Sequence, residues 1–458
     1  MPKVRLALAQ TNPVVGDFKA NLDGCLLAVS EAASLGANMV LFGEMALSGY
    51  PVEDLATRAD FLMNAQEQLA AFAMELDTSG LGEIAVVIGH PALAPKAEQH
   101  TWAIAQNRAS VCLGGKVQHT YAKHHLPNYS VFDEYRIFVP GQELTTFEFM
   151  GLNFSLLICE DIWQQGGPTA QVKAAQTDVA LVLNGSPFEV DKQDRRDQLV
   201  QGLAKQSDCA VAYVNLVGGQ DDLVFDGASL VSSARGAIVA RGLGFQTDLI
   251  VVDIEDKNTL EAVKSAPLAQ QDELSEIWNA LVLGLGDYVT KNGFKSVILG
   301  LSGGIDSAVC AALAVDALGP DRVFGVSLPS KYSSDHSKSD AHDLAERLGI
   351  NLRTEPIEAM VLTAENQLGL TGLAAENLQA RVRGVILMGL SNQEGHLTLT
   401  TGNKTEIAVG YSTIYGDSVG GYAPIKDVAK TMVWELARWR NSVAGDRPPI
   451  PENSITKP

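Results

Sequence analysis

Cys159 closes the apolar run NFSLLIC and is followed at once by Glu160, Asp161 and Trp163. Glu44 closes a second such run, MVLFGE, and Lys123 lies just past a third segment, 116–121. A thiol becomes a nucleophile where a nearby base or cation favours its thiolate, and strand ends are where such groups are displayed. Taken singly, each residue also reads more plainly: the cysteine as a small buried hydrophobe, the glutamate and the lysine as solvated charges. A second chemistry is offered by VILGLSGGIDSAVCAALA, residues 297–314, where a strand feeds a loop that opens a helix. Gly303 and Gly304 let the backbone approach an anion without a Cβ, and Ser302 and Ser307 add hydroxyls. The first helical turn adds free N–H groups along a favourable dipole, so the loop suits phosphate. The pattern GxxxxGK[ST] is absent, which argues against an ordinary γ-phosphate-cleaving site.

Regular elements must hold these groups in place. Apolar runs at 4–9, 38–42, 84–89, 154–159, 179–184, 210–215 and 249–253 read as buried strands. Helical patterns lie at 21–35 and 60–76, and 101–116 and 227–241 read as hairpins, so this part is α/β with mixed sheets in a layered sandwich. The polar stretch EDKNTLEAVKSAPLAQQDE, with Pro267, reads as a connector that divides the chain into domains 1–265 and 266–458. Beyond it a helix at 274–292 precedes a βαβαβ series: strand 296–301, helix to 318, strand 323–328, helix to 348, strand 351–356. Such alternation predicts a doubly wound parallel sheet with its ligand at the carboxyl ends of the strands.

Composition narrows the partners. The 458 residues carry 34 Lys plus Arg against 54 Asp plus Glu, a formal net charge of −20, which argues against nucleic acid or a polybasic membrane contact. Cys25, Cys112, Cys159, Cys209 and Cys310 make an odd count without a CxxC pair, so neither a disulfide framework nor a zinc knuckle is expected. No signal-peptide core or membrane-spanning run is visible, and a cytoplasmic location is expected.

FGEMALSGYP, YAKHHLPNYSVFDEYRIF and LLICEDIW, in that order and spacing, resemble the carbon-nitrogen hydrolase (nitrilase-like) superfamily over about residues 3–255. The resemblance implies an α-β-β-α sandwich in which Glu44 deprotonates Cys159, Cys159 attacks an amide carbon and Lys123 stabilises the oxyanion. Glu134 matches a second glutamate that orders the site, and Gly43 departs from the proline that relatives often have there. LPNYSVFDE and NGSPFEVDK narrow the resemblance to amidases that use glutamine. By that resemblance Tyr129, Ser186 and Lys192 would contact the amino-acid end of glutamine, although 184–187 also reads as a plain turn after a strand.

The loop SGGIDS resembles that of the ATP-pyrophosphatases, which implies that Gly300, Leu301, Ser302, Gly303, Gly304, Ile305, Asp306 and Ser307 hold ATP phosphates and that Asp306 helps to bind magnesium. TGNKTE followed by YGDSVGG turns the resemblance toward NAD synthetases. It implies that Thr401 touches ATP, that Lys430 reaches its phosphates, and that Glu406 joins Asp306 on the metal near the substrate. Asn377 and Arg381, four residues apart on a helix, would share one face toward deamido-NAD.

An amidase placed ahead of such a synthetase resembles the glutamine-dependent NAD synthetases. The implied activity is ATP-dependent amidation of deamido-NAD, the last step of NAD biosynthesis. Ammonia would come from glutamine, and AMP and pyrophosphate would leave through an adenylated intermediate, with no redox cofactor. The resemblance further implies a homo-oligomer, a protected ammonia passage, a synthetase half incomplete at its C-terminal end and a shortened stretch at 331–376. Other readings of the same motifs are an amidotransferase for another acceptor and an ATP-binding scaffold without turnover.

Overall fold

The computed structural model describes residues 3–268, 272–330 and 335–456. Residues 269–271 of the polar connector and 331–334 at the head of the stretch read as short lie outside that description. The chain forms two units, Met1–Gln271 and Asp272–Pro458.

In the first unit the strands are β1 (Val4–Gln10), β2 (Met39–Phe42), β3 (Ala85–Leu93), β4 (Ala105–Leu113), β5 (Lys116–Ala122), β6 (Thr145–Phe149), β7 (Leu152–Ile158), β8 (Val179–Asn184), β9 (Ala210–Asn215), β10 (Val217–Gln220), β11 (Leu223–Asp226), β12 (Leu230–Ser232), β13 (Ile238–Arg241), β14 (Asp248–Ile254) and β15 (Leu260–Lys264). The helices are α1 (Phe18–Ser34), α2 (Ala59–Thr78), α3 (Thr169–Val172) and α4 (Lys192–Ser207). A seven-stranded sheet has the order β15-β14-β1-β2-β3-β4-β5, and a six-stranded sheet the order β13-β12-β9-β8-β7-β6. Leu6, Leu8, Leu41 and Val87 from the first meet Leu156, Leu181 and Val214 from the second in one buried layer. On its outer face the first sheet packs under α1 and α2 through Val40, Phe42 and Val86. The second packs under α4 through Val182, Val211 and Tyr213. These four layers are the expected α-β-β-α sandwich. Covered on both faces, β8 is buried along its whole length and reads as the unbroken run VALVLN.

Two local expectations change. Residues 101–116 do not make a hairpin by themselves: β4 is one strand, and it turns at Gly114 and Gly115 into β5. Inside the stretch read as a connector, β15 pairs with β14 as an edge strand. Its side chains are mostly exposed, so it carries no apolar signature.

The second unit runs α5 (Glu273–Lys291), β16 (Val297–Gly300), α6 (Ile305–Leu318), β17 (Val323–Ser327), α7 (Asp335–Leu348), β18 (Asn351–Thr354), α8 (Glu358–Leu368), α9 (Leu373–Glu394), β19 (Leu397–Thr398), α10 (Lys404–Val409), α11 (Lys430–Ser442) and α12 (Glu452–Thr456). Its sheet has the order β18-β17-β16-β19 and is parallel throughout. Helices α5, α6, α7 and α11 cover one face, and α8 and α9 the other, which is the doubly wound arrangement. Buried from Ala308 to Ala314, α6 is built of small and apolar residues that let its neighbours close around it. Among the described residues no helix is long and apolar enough to cross a membrane.

Candidate functional site

In the first unit Glu44 follows β2, Lys123 follows β5, Glu134 opens a single 3₁₀ turn and Cys159 follows β7. The structure brings them into one buried cluster, in which they are 1%, 1%, 3% and 5% exposed in that order. Lys123 Nζ donates to Glu44 Oε1 at 2.8 Å and pairs with Glu134 Oε2 at 2.7 Å. Glu44 Oε1 also accepts from Asn107 Nδ2 at 2.6 Å, and its Oε2 accepts from the Gly185 backbone N–H at 2.8 Å. Tyr50 Oη donates to Glu134 Oε1 at 2.9 Å.

The charges around this lysine are uneven, with two carboxylates for one ammonium. Burial pushes Glu134 up to about 7, with Lys123 pulling it down and Glu44 adding to the rise. Burial works against the Lys123 ammonium, but Glu134 and Glu44 outweigh it and hold the group charged well above the usual lysine range. Burial, and after it Glu44, pushes the Cys159 thiol well up, against the pull of Lys123. These surroundings favour the thiol over the thiolate, and a thiol becomes strongly nucleophilic only as a base takes its proton. Cys159 is also held at φ +40, a left-handed conformation that side chains other than glycine adopt rarely and that is common at functional turns.

Glycines make room for this geometry. A Cβ on Gly89 of β3 would stand 2.5 Å from both Gly43 O and Met45 N, so the strand passes directly beneath the backbone of Glu44. At Gly43 the Cβ position lies 2.7 Å from Leu216 Cδ2. Glycine there matches the packing of this chain's own core.

Of the residues expected to meet glutamine, Tyr129 is half exposed and donates through Oη to Glu160 Oε2 at 2.8 Å, next to Cys159. Ser186 is buried one residue past Gly185, with its N–H on Asn215 Oδ1 at 2.9 Å. Lys192 opens α4, and its ammonium pairs with Glu189 at 2.8 Å. Sequence reasoning missed Asn107, Tyr50 and Arg196. The signal for Asn107 was a polar side chain inside an otherwise buried strand. Tyr50 lay inside a recognised motif without an assigned role. Arg196 gave no signal, because its partners are far apart in the chain. Fully buried, it pairs with Asp226 at 2.5 Å and donates to Ser186 O and Pro187 O at 2.9 and 3.1 Å, which fixes the turn beside Glu44. Arg196→Ala leaves Asp226 buried without its cation and is expected to cost about 3–5 kcal/mol. Urea unfolding of the full chain measures this, and a loss under about 1 kcal/mol would mean that water takes the place of the guanidinium.

In the second unit the loop after β16 closes on itself. Gly303 sits at φ +77 and Gly304 caps α6. Gly304 N–H donates to Ser302 Oγ at 3.2 Å, and Ser307 Oγ donates to Gly304 O at 3.0 Å. Asp306, in the first turn of α6, accepts from Asn403 Nδ2 at 3.0 Å on Oδ1 and pairs with Lys430 Nζ on Oδ2. The Lys430 ammonium also lies over the Trp434 ring, 5.2 Å from its centre. Asn403, buried and not anticipated, caps α10: its Oδ1 accepts from Glu406 N at 3.0 Å, while its own N–H donates to Glu406 Oε2 at 3.2 Å. Asn403 thus stands between the Asp306 and Glu406 carboxylates.

A cavity of about 520 Å³ opens at the carboxyl ends of β16 and β17, lined by Gly300, Leu301 and Ser302, by 326–329, by Arg383 and Leu387 of α9, and by Thr400, Thr401 and Asp417. Arg383, which the sequence reading passed over, donates to Leu328 O at 3.3 Å. Asn377 and Arg381 do share a face of α9, where Thr413 Oγ1 donates to Asn377 Oδ1 at 2.9 Å and Arg381 Nε donates to Ile414 O at 3.2 Å. They line the 413–414 turn rather than this cavity.

The carbon-nitrogen hydrolase model matches residues 5–264 and the NAD synthase model residues 277–458. A glutamine-dependent NAD(+) synthetase of Acinetobacter baylyi is 41% identical over 466 residues, which cover 100% of this chain and 83% of that protein. The chain belongs to the glutamine-dependent NAD(+) synthetase family. A second member, from Thermotoga maritima, is 40% identical over 499 residues, 84% of its length. The structure of the Acinetobacter baumannii glutamine-dependent NAD+ synthetase in complex with adenosine diphosphate superposes with a TM-score of 0.91 at 41% identity, over 99% of this chain and 85% of that one. That of Cytophaga hutchinsonii gives 0.81 at 25% identity, over 96% and 81%.

For a member of this synthetase family the donor set bears on a divalent cation. Among the described residues no group of three or more His, Cys, Asp or Glu converges. Asp306 and Glu406 offer two carboxylates on either side of Asn403. That set fits magnesium arriving with phosphates, because the ion keeps most of its shell as water and phosphate oxygen and takes one or two carboxylates from protein.

Proposed function

We propose that this chain makes NAD from deamido-NAD, ATP and glutamine, with ammonia release assigned to residues 1–265 and synthesis to 266–458. The observation that carries the reading is the buried Lys123 bridging Glu44 and Glu134 beside Cys159, on a chain that also holds a glycine- and serine-rich phosphate loop. In the first domain Cys159 Sγ attacks the side-chain amide carbon of glutamine while Glu44 takes the thiol proton. Lys123 balances the charge that develops on oxygen. The proton passes to nitrogen, ammonia leaves, and water hydrolyses the γ-glutamyl thioester to glutamate. Tyr129, Ser186 and Lys192 hold the amino-acid end, and Glu134 keeps Lys123 in place.

In the second domain the nicotinate carboxylate of deamido-NAD attacks the α-phosphorus of ATP and pyrophosphate leaves. Ammonia then attacks the acyl carbon of the adenylate and AMP leaves. Gly300 to Ser307 and Lys430 receive the phosphates, Thr401 meets the nucleotide, and Asn377, Arg381 and Glu406 face deamido-NAD. Asp306 and Glu406 would hold magnesium, which would offset phosphate charge. Val409, Tyr411, Ile414 and Tyr415, all more than two-thirds exposed, support a homo-oligomer that buries them. Cytoplasmic location agrees with five free cysteines.

The test is NAD formation from deamido-NAD, ATP and magnesium with glutamine or ammonium chloride as donor. Product is expected with both. Failure with both, while ATP still yields AMP and pyrophosphate with another acceptor, would overturn the assignment to NAD.

A further inference from the structure

Asp161 stands two residues past Cys159, fully buried, and is neither nucleophile, base nor oxyanion donor. Its carboxylate accepts four hydrogen bonds from two separate segments. Oδ1 takes the backbone N–H of His124 at 3.1 Å and of His125 at 2.9 Å, the two residues directly after Lys123. Oδ2 takes the N–H of Ile158 at 2.9 Å, the residue before Cys159, and the hydroxyl of Tyr121 at 2.7 Å, two residues before Lys123. One carboxylate thus ties the chain on both sides of the lysine to the turn that carries the thiol. That turn holds Cys159 at φ +40, a conformation that persists only where its surroundings over-determine it. An anion buried for packing alone would be replaced without loss by an apolar residue, whereas four converging donors need an acceptor with two full oxygens.

We propose that Asp161 is a positioning residue for glutamine hydrolysis: it locks the Cys159 turn and the Lys123 segment into one frame, so that sulfur and ammonium meet the same amide carbonyl. This rests on the reading of Cys159 as the glutamine nucleophile. Asp161→Asn keeps the shape but places an NH₂ group where a carboxylate oxygen faced Ile158 N–H or the two histidine amides. At least one backbone donor then meets another donor, and the turn shifts. Reacting atoms must sit within a narrow range of separation, so the loss falls on turnover rather than on substrate binding.

The experiment measures glutamine hydrolysis by the full chain as wild type, Asp161→Asn and Tyr121→Phe, with ammonia-driven NAD formation recorded on the same samples. Asp161→Asn is expected to lower kcat for glutamine about 10²-fold, with KM within about threefold and ammonia-driven synthesis within about twofold of wild type. Tyr121→Phe, which removes one of the four hydrogen bonds, is expected to lower kcat about three- to tenfold in the same pattern. Wild-type kcat in Asp161→Asn, or a loss confined to KM, overturns the proposal while the Cys159 reading stands. If Asp161→Asn loses both activities through misfolding, Tyr121→Phe decides: a fall in kcat alone supports the proposal, and no fall overturns it. A wild-type protein that makes NAD from ammonia but never hydrolyses glutamine removes the Cys159 reading and this proposal with it.

Discussion

Cys159→Ala is expected to abolish NAD formation from glutamine, by a factor on the order of 10⁴ or more, and to leave formation from ammonium chloride within about twofold. On the proposed mechanism the substitution takes away the covalent route, whereas Glu44 and Lys123 retain their mutual ion pair. No other thiol is placed to substitute. Cys25, Cys112 and Cys209 are buried in apolar surroundings that push them up to about 12, and Cys310 lies inside the helix α6 core. Initial rates with each donor, measured on the same preparation, make the comparison. A parallel fall with both donors would mean that the substitution acts on the fold or on synthesis itself, and the division of labour between the two domains would be lost.

Asp306→Asn has the opposite signature. Synthesis with either donor is expected to fall by about 10²- to 10³-fold, while glutamine hydrolysis continues. The Asp306 carboxylate holds Asn403 and Lys430 together at the start of α6. An amide there leaves the Lys430 ammonium without its anion and removes the charged oxygen proposed for magnesium. The helix N-terminus and the loop glycines remain, so ATP still binds, but the charge that develops on the leaving pyrophosphate is less well met. Pyrophosphate release and glutamate release, followed separately, distinguish this from a general loss. Undiminished synthesis from ammonium chloride would remove Asp306 from the site.

Both substitutions concern residues that were legible in the sequence, and the reason is physical. Glu44 and Cys159 stand directly after buried strands, which announce themselves as the apolar runs MVLF and LNFSLLI, and Asp306 lies in the glycine-rich loop-to-helix segment that follows a third. Glu44 and Cys159 could therefore be placed at strand ends, whereas Glu134 joined them only through the motif resemblance, and the structure brings all three together with Lys123 in one cluster. What could not be read depends on which strands lie side by side. Asn107 reaches Glu44 across 63 residues of chain, and Arg196 of α4 meets Asp226 only because the later strand β11 returns to it. The helical spacing of Asn377 and Arg381 was readable, but their engagement with Thr413 and Ile414 belongs to a turn with no periodicity. The edge strand β15 was hidden for the converse reason: its exposed residues look like any polar connector.

The elevated proton affinity of the Cys159 thiol has a consequence for oxidative stress. Peroxides attack the thiolate, and they do so where it is exposed. A sulfur that is 5% exposed and kept protonated by burial and by Glu44 offers them neither condition. The same surroundings therefore shield the resting sulfur from sulfenic acid formation, and slower oxidation by hydrogen peroxide than at an exposed thiolate is the expected result.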